Sequence, residues 1–231
     1  MKYRAWLLAT LAATGLALGP AGAAPLAIID VRPPPATAMT VGEPTRGPIG
    51  FVMFCRTWPA ECAAGAATGT AWDAALAEAA VPKPPALTPA RWRELERVDA
   101  EVDRAILPAD DGAAQGLDDH WSLAPARGDC EDYVLTKRHR LIELGWPAHA
   151  LLVTLVREER GRQHAVLVVR TDRGDLVLDN LSRGVAAWNR LAYRWIKRQS
   201  AADPTRWVKL DGYAEEMADR LDERLQRLSL R

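Results

Sequence analysis

The chain has few of the residues that mark the common classes of binding protein. Of its 231 residues only 6% are aromatic, and there are three cysteines and four histidines. Acidic and basic residues balance to a formal net charge of +0, without a basic block. Since nucleic-acid-binding proteins normally present a basic face, we expect no nucleic-acid partner. His120, His139 and His149 lack the spacing of zinc ligands, which argues against a zinc site.

Long hydrophobic runs are also scarce, and the longest lies at the start of the chain. Residues 5–18 are uncharged and largely apolar, they follow Lys2 and Arg4, and residues 21–23 have the small-x-small pattern of a signal peptidase site. We therefore predict a secretory signal peptide over residues 1–23 and an exported mature protein. The alternative is an uncleaved membrane anchor, but a helix that spans a bilayer needs about 20 apolar residues.

An exported protein is in an oxidising compartment, where disulfides form, so its three cysteines cannot all be paired with one another. Cys55 and Cys62 lie close together, and Pro59 favours a turn between them. This spacing predicts a short-loop disulfide, with two buried thiols or a metal site as alternatives. Cys130 is then left over, so it is either a reactive thiol or a partner in an intermolecular bond.

The hydrophobic pattern indicates a single domain over residues 51–231, preceded by a flexible, Pro- and Ala-rich lead-in over residues 24–50. Thr88 as N-cap and Pro89 at the first helical position predict the start of a helix with one apolar stripe. A second helix is predicted from Cys130 to about residue 144, followed by an antiparallel meander. The other predicted elements are a short strand over 51–54, a helix over 70–80, strands over 150–156, 164–169 and 175–179, and an amphipathic helix over 213–228.

Three residues in this arrangement have the chemistry of a nucleophilic site. Cys130 begins a helix, where free backbone N–H groups and the helix dipole favour the thiolate. His164 lies in a strand and Asp179 ends the next strand, so an antiparallel hairpin would bring the imidazole and the carboxylate together. Alone, each residue is more often structural, as a core cysteine, a core histidine or a turn aspartate. Their order, together with the unpaired cysteine, favours a Cys-His-Asp site.

Carboxylates stand on both sides of this thiol. Asp129 and Glu131 would raise the pKa of Cys130 and so oppose its activation. Either a cation occupies these carboxylates or their side chains point away from the sulfur. In a purely structural interpretation Asp129 is a helix N-cap, and Glu131 and Asp132 are first-turn residues favoured by the helix dipole.

The chain resembles the bacterial transglutaminase-like cysteine proteinases over about residues 90–190. The resemblance rests on Gly128-Asp129-Cys130-Glu131-Asp132-Tyr133, Gln163-His164-Ala165-Val166-Leu167 and Val177-Leu178-Asp179-Asn180. It implies an α+β fold with a papain-like, transglutaminase-type core, in which the nucleophile helix packs on an antiparallel sheet. It also implies that Cys130 is the nucleophile, His164 the general base and acid, and Asp179 the orienting carboxylate.

The resemblance extends to cofactor and partners. Enzymes of the LapG-type branch are periplasmic and calcium-dependent, cleave large surface adhesins to release biofilm cells, and are sequestered by a membrane receptor for cyclic di-GMP. For this chain it implies a Ca²⁺ ion held by Asp129 and Glu131 with Asp132 as a third ligand, a protein substrate such as an adhesin, and a receptor of that kind. Two alternatives stay open: a transglutaminase or other acyl transferase with the same three residues, and a non-catalytic calcium-binding envelope adaptor.

Overall fold

The computed structural model describes residues 35–63, 74–109 and 120–210, with the backbone alone for residues 74–76. The α-helices in these ranges are α1 (Ile49–Thr57), α2 (Ala74–Ala79), α3 (Pro89–Ala105) and α4 (Cys130–Glu143). The strands are β1 (Pro44–Thr45), β2 (Leu107–Pro108), β3 (Arg127–Gly128), β4 (Leu151–Arg157), β5 (Gln163–Thr171), β6 (Gly174–Leu178), β7 (Ala186–Ala187), β8 (Arg194–Gln199) and β9 (Trp207–Lys209). The predicted signal peptide and the predicted helix over 213–228 lie outside the described residues.

A seven-stranded antiparallel sheet organises the domain. The strand order is β1-β9-β8-β4-β5-β6-β7, so β4, β5 and β6 form the predicted meander at its centre. The observed bounds of these three strands lie within two residues of the predicted bounds. The α+β prediction is therefore confirmed. None of the helices in the described ranges combines the length and the hydrophobicity needed to cross a lipid bilayer.

The sheet is buried on both faces, because side chains alternate between the faces along each strand. One face packs against α3 and α4, and its buried residues include Leu151, Val153, Ala165, Leu167 and Val169. The opposite face forms a second cluster that includes Leu152, Val156, Val166, Val168, Trp188 and Trp195. The helix that begins at Cys130 thus lies on one side of the sheet, as expected.

Helix α3 begins as its sequence predicts. The Oγ1 of Thr88 accepts a hydrogen bond from the Arg91 N–H at 3.2 Å, and Pro89 occupies the first helical position. The predicted apolar stripe is buried and consists of Trp92, Leu95, Val98, Val102 and the C-cap Ile106. Helix α4 ends at Glu143, and Gly145, which follows the C-cap Leu144, has a φ of 85° that glycine adopts without strain.

The strand predicted over residues 51–54 is wrong, because this segment lies within α1. Phe51 and Phe54 are three residues apart and both are buried, whereas Val52 and Met53 between them are exposed. That is the burial of a helix stripe rather than the alternation of a strand. The disulfide between Cys55 and Cys62 is confirmed, and it joins α1 to the following 3₁₀ turn.

The predicted flexible lead-in does not hold for residues 35–50, because this segment is packed on the sheet. The Met39 N–H donates to Asp175 Oδ2 at 2.8 Å, and the Trp188 indole N–H donates to the Thr37 carbonyl at 2.7 Å. A Cβ at Gly174 would collide with the Ala36 backbone, so the turn between β5 and β6 requires glycine. The proline and alanine content of the segment suits an extended chain held by such backbone contacts.

Candidate active site

Cys130 is the first residue of α4, and a capping box fixes its position. The side chain of the N-cap Asp129 accepts a hydrogen bond from the Glu131 N–H at 3.3 Å, and the Asp129 N–H donates to Asp132 Oδ2 at 3.3 Å. These bonds satisfy backbone groups that a helix start otherwise leaves free. A Cβ at Gly128 would overlap the Asp132 carboxylate, so the close approach of chain and carboxylate requires glycine.

The thiol of Cys130 is held in its protonated form in this state. Its Sγ donates a hydrogen bond to Glu131 Oε2 at 2.9 Å. Burial, followed by the charge of Glu131 and this hydrogen bond, raises the pKa of Cys130 far above its ordinary range, and Asp129 adds to the effect. A hydrogen bond with the Ala165 backbone acts in the opposite direction and places the sulfur against the residue that follows His164. Burial and the neighbouring carboxylates therefore keep the thiol protonated, although Cys130 stands at the start of a helix.

His164 and Asp179 meet as the hairpin predicts. Both are buried, and His164 Nε2 lies 2.8 Å from Asp179 Oδ1. The Leu181 N–H also donates to Asp179 Oδ1, at 2.9 Å. Burial alone would raise the pKa of Asp179, but the hydrogen bond and charge of His164, with the other donors, lower it overall. Asp179 is thus a carboxylate that stays ionised beside the imidazole.

Tyr193 is a member of this group that the sequence did not reveal. Its hydroxyl donates to Asp179 Oδ2 at 2.5 Å, and its ring lies 5.8 Å from the imidazole of His164, centroid to centroid. Burial and then the Asp179 carboxylate raise the pKa of Tyr193, so the phenol stays protonated and remains a donor. Residue 193 directly precedes β8, a strand that the hydrophobic pattern did not show, and no local signal links it to Asp179.

A buried lysine lies two turns along α4 from Cys130. Lys137 Nζ is 2.6 Å from Asp99 Oδ1 and 2.7 Å from Asp103 Oδ1, both on α3. Burial raises the pKa of Asp99 to about 6, because the loss of hydration outweighs the attraction of Lys137. This ion group joins α4 to α3 through a buried lysine, a buried Asp99 and a partly exposed Asp103.

The family follows from the sequence match over this fold. The model of the family described as bacterial transglutaminase-like cysteine proteinase matches residues 41–215, which is most of the chain. The chain belongs to this family. The description of the family names its members as cysteine proteinases. Among curated proteins, none matches this proteinase at a significant level.

Solved structures of Legionella pneumophila LapG are similar to this cysteine proteinase at 22% sequence identity. The EGTA-treated form gives a TM-score of 0.42 over 49% of this chain and 64% of that one, so the match spans just under two thirds of its length. The calcium-bound form gives a TM-score of 0.44 over 53% of this chain and 71% of that one. A third LapG structure gives 0.44 over 57% and 77%.

The three predicted metal ligands of the proteinase differ in what their oxygens contact. Both oxygens of Asp132 accept hydrogen bonds, Oδ1 from the N–H and hydroxyl of Ser122 and Oδ2 from Asp129 N–H, and the residue is buried. This favours a structural role for Asp132. Asp129 and Glu131 are less enclosed and lie on either side of the thiol. Among the described residues, no group of three or more acidic, histidine or cysteine side chains is arranged to hold a metal ion.

Proposed function

We propose that this proteinase is an exported, calcium-linked endopeptidase in which Cys130, His164 and Asp179 form the catalytic triad. The observation that carries the proposal is the buried pair of His164 and Asp179, 2.8 Å apart, next to a thiol that contacts the Ala165 backbone. A nucleophile, a base and a group that orients the base are the parts that cysteine peptidases need.

The contact between His164 Nε2 and the ionised Asp179 supports one role for each ring nitrogen, because a carboxylate only accepts hydrogen bonds. With Nε2–H donating to Asp179, the neutral imidazole keeps Nδ1 as its acceptor, and Nδ1 takes the proton of Cys130. The ionised Asp179 then stabilises the imidazolium, while the thiolate attacks the peptide carbonyl. His164 next returns the proton to the leaving amine, and water hydrolyses the acyl enzyme. The Cys130 backbone N–H, at the helix start, is one donor for the developing oxyanion.

For this reaction the thiol must exchange its hydrogen bond to Glu131 for one to His164. Asp129 and Glu131 fit a Ca²⁺ site, because hard cations prefer carboxylate oxygens. A bound cation there would neutralise the two charges that oppose thiolate formation. Asp132, with both oxygens occupied, supports the position of this pair rather than adding a ligand.

Removal of calcium will lower the melting temperature of the wild-type protein. The two carboxylates then repel each other, and a ligand that binds only the folded state no longer stabilises it. Asp129→Ala should abolish the shift that a chelator causes, measured by differential scanning calorimetry with and without EGTA. Asp172→Ala, on the turn between β5 and β6 far from the thiol, should keep the full shift. An identical melting curve with and without EGTA would contradict the calcium site.

The finer biological role is proposed on the family resemblance. The substrate is a large surface adhesin, its cleavage releases cells from a biofilm, and a cyclic di-GMP-responsive membrane receptor restrains the enzyme in the periplasm. The contact of His164 with Asp179 supports the catalytic part of this role, and the substrate and receptor are inferred from relatives of the LapG type.

Product analysis separates hydrolysis from acyl transfer, because both share the first half-reaction. Envelope proteins are treated with the wild-type enzyme in the presence of calcium and a labelled primary amine, and peptides are sequenced by mass spectrometry. We expect new amino termini and no amine adducts, and neither product with Cys130→Ala. Amine adducts without new termini would establish a transferase instead. The absence of both products, with a thiol that reacts with iodoacetamide no faster than a model thiol, would favour the non-catalytic adaptor.

A further inference from the structure

The side of the sheet that faces the nucleophile helix has basic residues near the turn that connects β4 and β5. Leu155, Ala165 and Cys130 pack in the same cluster between the sheet and the helices. Arg157 is two residues beyond Leu155 on β4, and Gln163 is its partner on β5, two residues before Ala165. Because side chains two residues apart share a face, Arg157 and Gln163 lie on the same side of the sheet as the thiol.

Strand β8 adds a second arginine to this row. Arg194 is the cross-strand partner of Arg157, and cross-strand partners share a face. Its neighbour Trp195 packs in the cluster on the opposite face, which agrees with this placement of Arg194. Lys197 on β8 is the cross-strand partner of Leu155. Its Nζ lies 5.8 Å from the ring of Trp207, which belongs to the helix-side cluster, so Lys197 is on the same face.

The two arginines are not neutralised within the described part of the chain. Like charges directly opposite each other on paired strands are destabilising, yet Arg157 and Arg194 face each other. Arg157 donates to the Gly161 carbonyl at 2.9 Å, and neither arginine has an ion pair among the described residues. The neighbouring Glu158 forms an ion pair with Arg162 at 2.8 Å. Its charge also contributes to the raised pKa of Tyr193, which is on the other side of the sheet.

We propose that Arg157 and Arg194 form a cationic subsite that binds an acidic side chain of the substrate. This inference rests on the proposed endopeptidase function and specifies its substrate class. From the rise and spacing of strands, the Cα atoms of Arg157 and Arg194 lie about 8 and about 12 Å from that of Ala165, where the thiol sits. An extended peptide advances about 3.3 Å per residue, so the carboxylate belongs about two to four residues from the scissile bond. Guanidinium groups bind carboxylates in a bidentate manner, which gives such a subsite specificity.

A peptide library tests this preference directly. We expect the wild-type enzyme, with calcium, to cut a proteome-derived library with aspartate or glutamate enriched within about four residues on one side of the scissile bond. The Arg157→Gln/Arg194→Gln variant should lose the enrichment and cleave an acidic peptide about tenfold less efficiently, with its neutral analogue unchanged. Arg194→Glu should shift the preference towards lysine and arginine. Arg173→Gln, at the exposed turn at the other end of β5, should behave as wild type.

A second measurement does not require a cleavable substrate. The rate of Cys130 alkylation by anionic iodoacetate, divided by the rate with neutral iodoacetamide, reports the charge near the sulfur. We expect this ratio to fall about threefold in the double variant and to stay constant in Arg173→Gln, since charges about 10 Å apart interact only modestly across water. Cleavage without acidic enrichment overturns the subsite alone. If no peptide is cut, the endopeptidase proposal fails, and the alkylation ratio alone decides whether the cationic site exists.

Discussion

Asp179→Asn will reduce kcat/KM by about 10⁴-fold, with little change in stability. The amide has the shape of the carboxylate, so the hydrogen bond from Leu181 N–H to Oδ1 can persist. Asparagine, however, cannot stabilise the imidazolium that forms when His164 takes the thiol proton. With the amide oxygen at the Oδ1 position, its NH₂ group stands at the Oδ2 position, where it donates to the Tyr193 hydroxyl instead of accepting from it. The measurement is kcat/KM on a peptide that the wild-type enzyme cleaves.

Tyr193→Phe is a milder change at the same carboxylate, and its loss of kcat/KM is compared with that of Asp179→Asn. It removes the 2.5 Å hydrogen bond to Asp179 Oδ2 but leaves the charge of the carboxylate and its contact with His164 intact. We expect a loss of about tenfold in kcat/KM, in keeping with the net value of a hydrogen bond to a charged group. A melting temperature near that of wild type would show that both variants fold. Equal losses in the two variants, or full activity in Asp179→Asn, would contradict the orienting role of the carboxylate.

The parts of the fold that the sequence predicted are those specified by local signals. Thr88, Pro89 and Gly145 mark helix ends through their own caps and dihedral preferences, and the three central strands are apolar runs separated by short polar turns. Phe51 to Phe54 was misassigned because four consecutive apolar residues do not distinguish a buried strand from one helix turn. Burial on one side only, which reveals the helix, depends on what packs against it.

The site was predictable to the same extent. His164 and Asp179 approach each other across a tight hairpin, so chain order and strand pairing were sufficient to pair them. The contacts of Tyr193 and Glu131 were not predictable, because the first depends on a strand brought in from later in the chain and the second on a side-chain rotamer. The sequence therefore predicted the contact between His164 and Asp179, but not the direct contact between Glu131 and the thiol.

The burial of Lys137 was not predictable from the sequence either. It belongs to a run of basic residues from 137 to 140, which is typical of a solvated helix face. Lys137→Met will destabilise the protein by about 3–5 kcal/mol, because it leaves Asp99 and Asp103 on α3 without the cation that they share. The free energy of unfolding is measured with urea. The exposed Lys209 on β9 provides the control, and its replacement by methionine should change stability by less than about 0.5 kcal/mol.

The cost of Lys137→Met should also depend on pH. The folded-state pKa of Asp99 is raised to about 6, so the fold favours the protonated acid, and this stabilisation is lost as the pH rises through that value. Without Lys137 the main group that lowers this pKa is gone, the pKa rises further, and the ionised form is penalised more. The destabilisation should therefore be larger at about pH 8 than at about pH 5.

Asp99→Leu in the Lys137→Met background should recover more than half of the loss at the higher pH, because it removes the buried charge that the first change leaves unpaired. A cost that is independent of pH would mean that Lys137 contributes through packing of its apolar stem rather than through its charge.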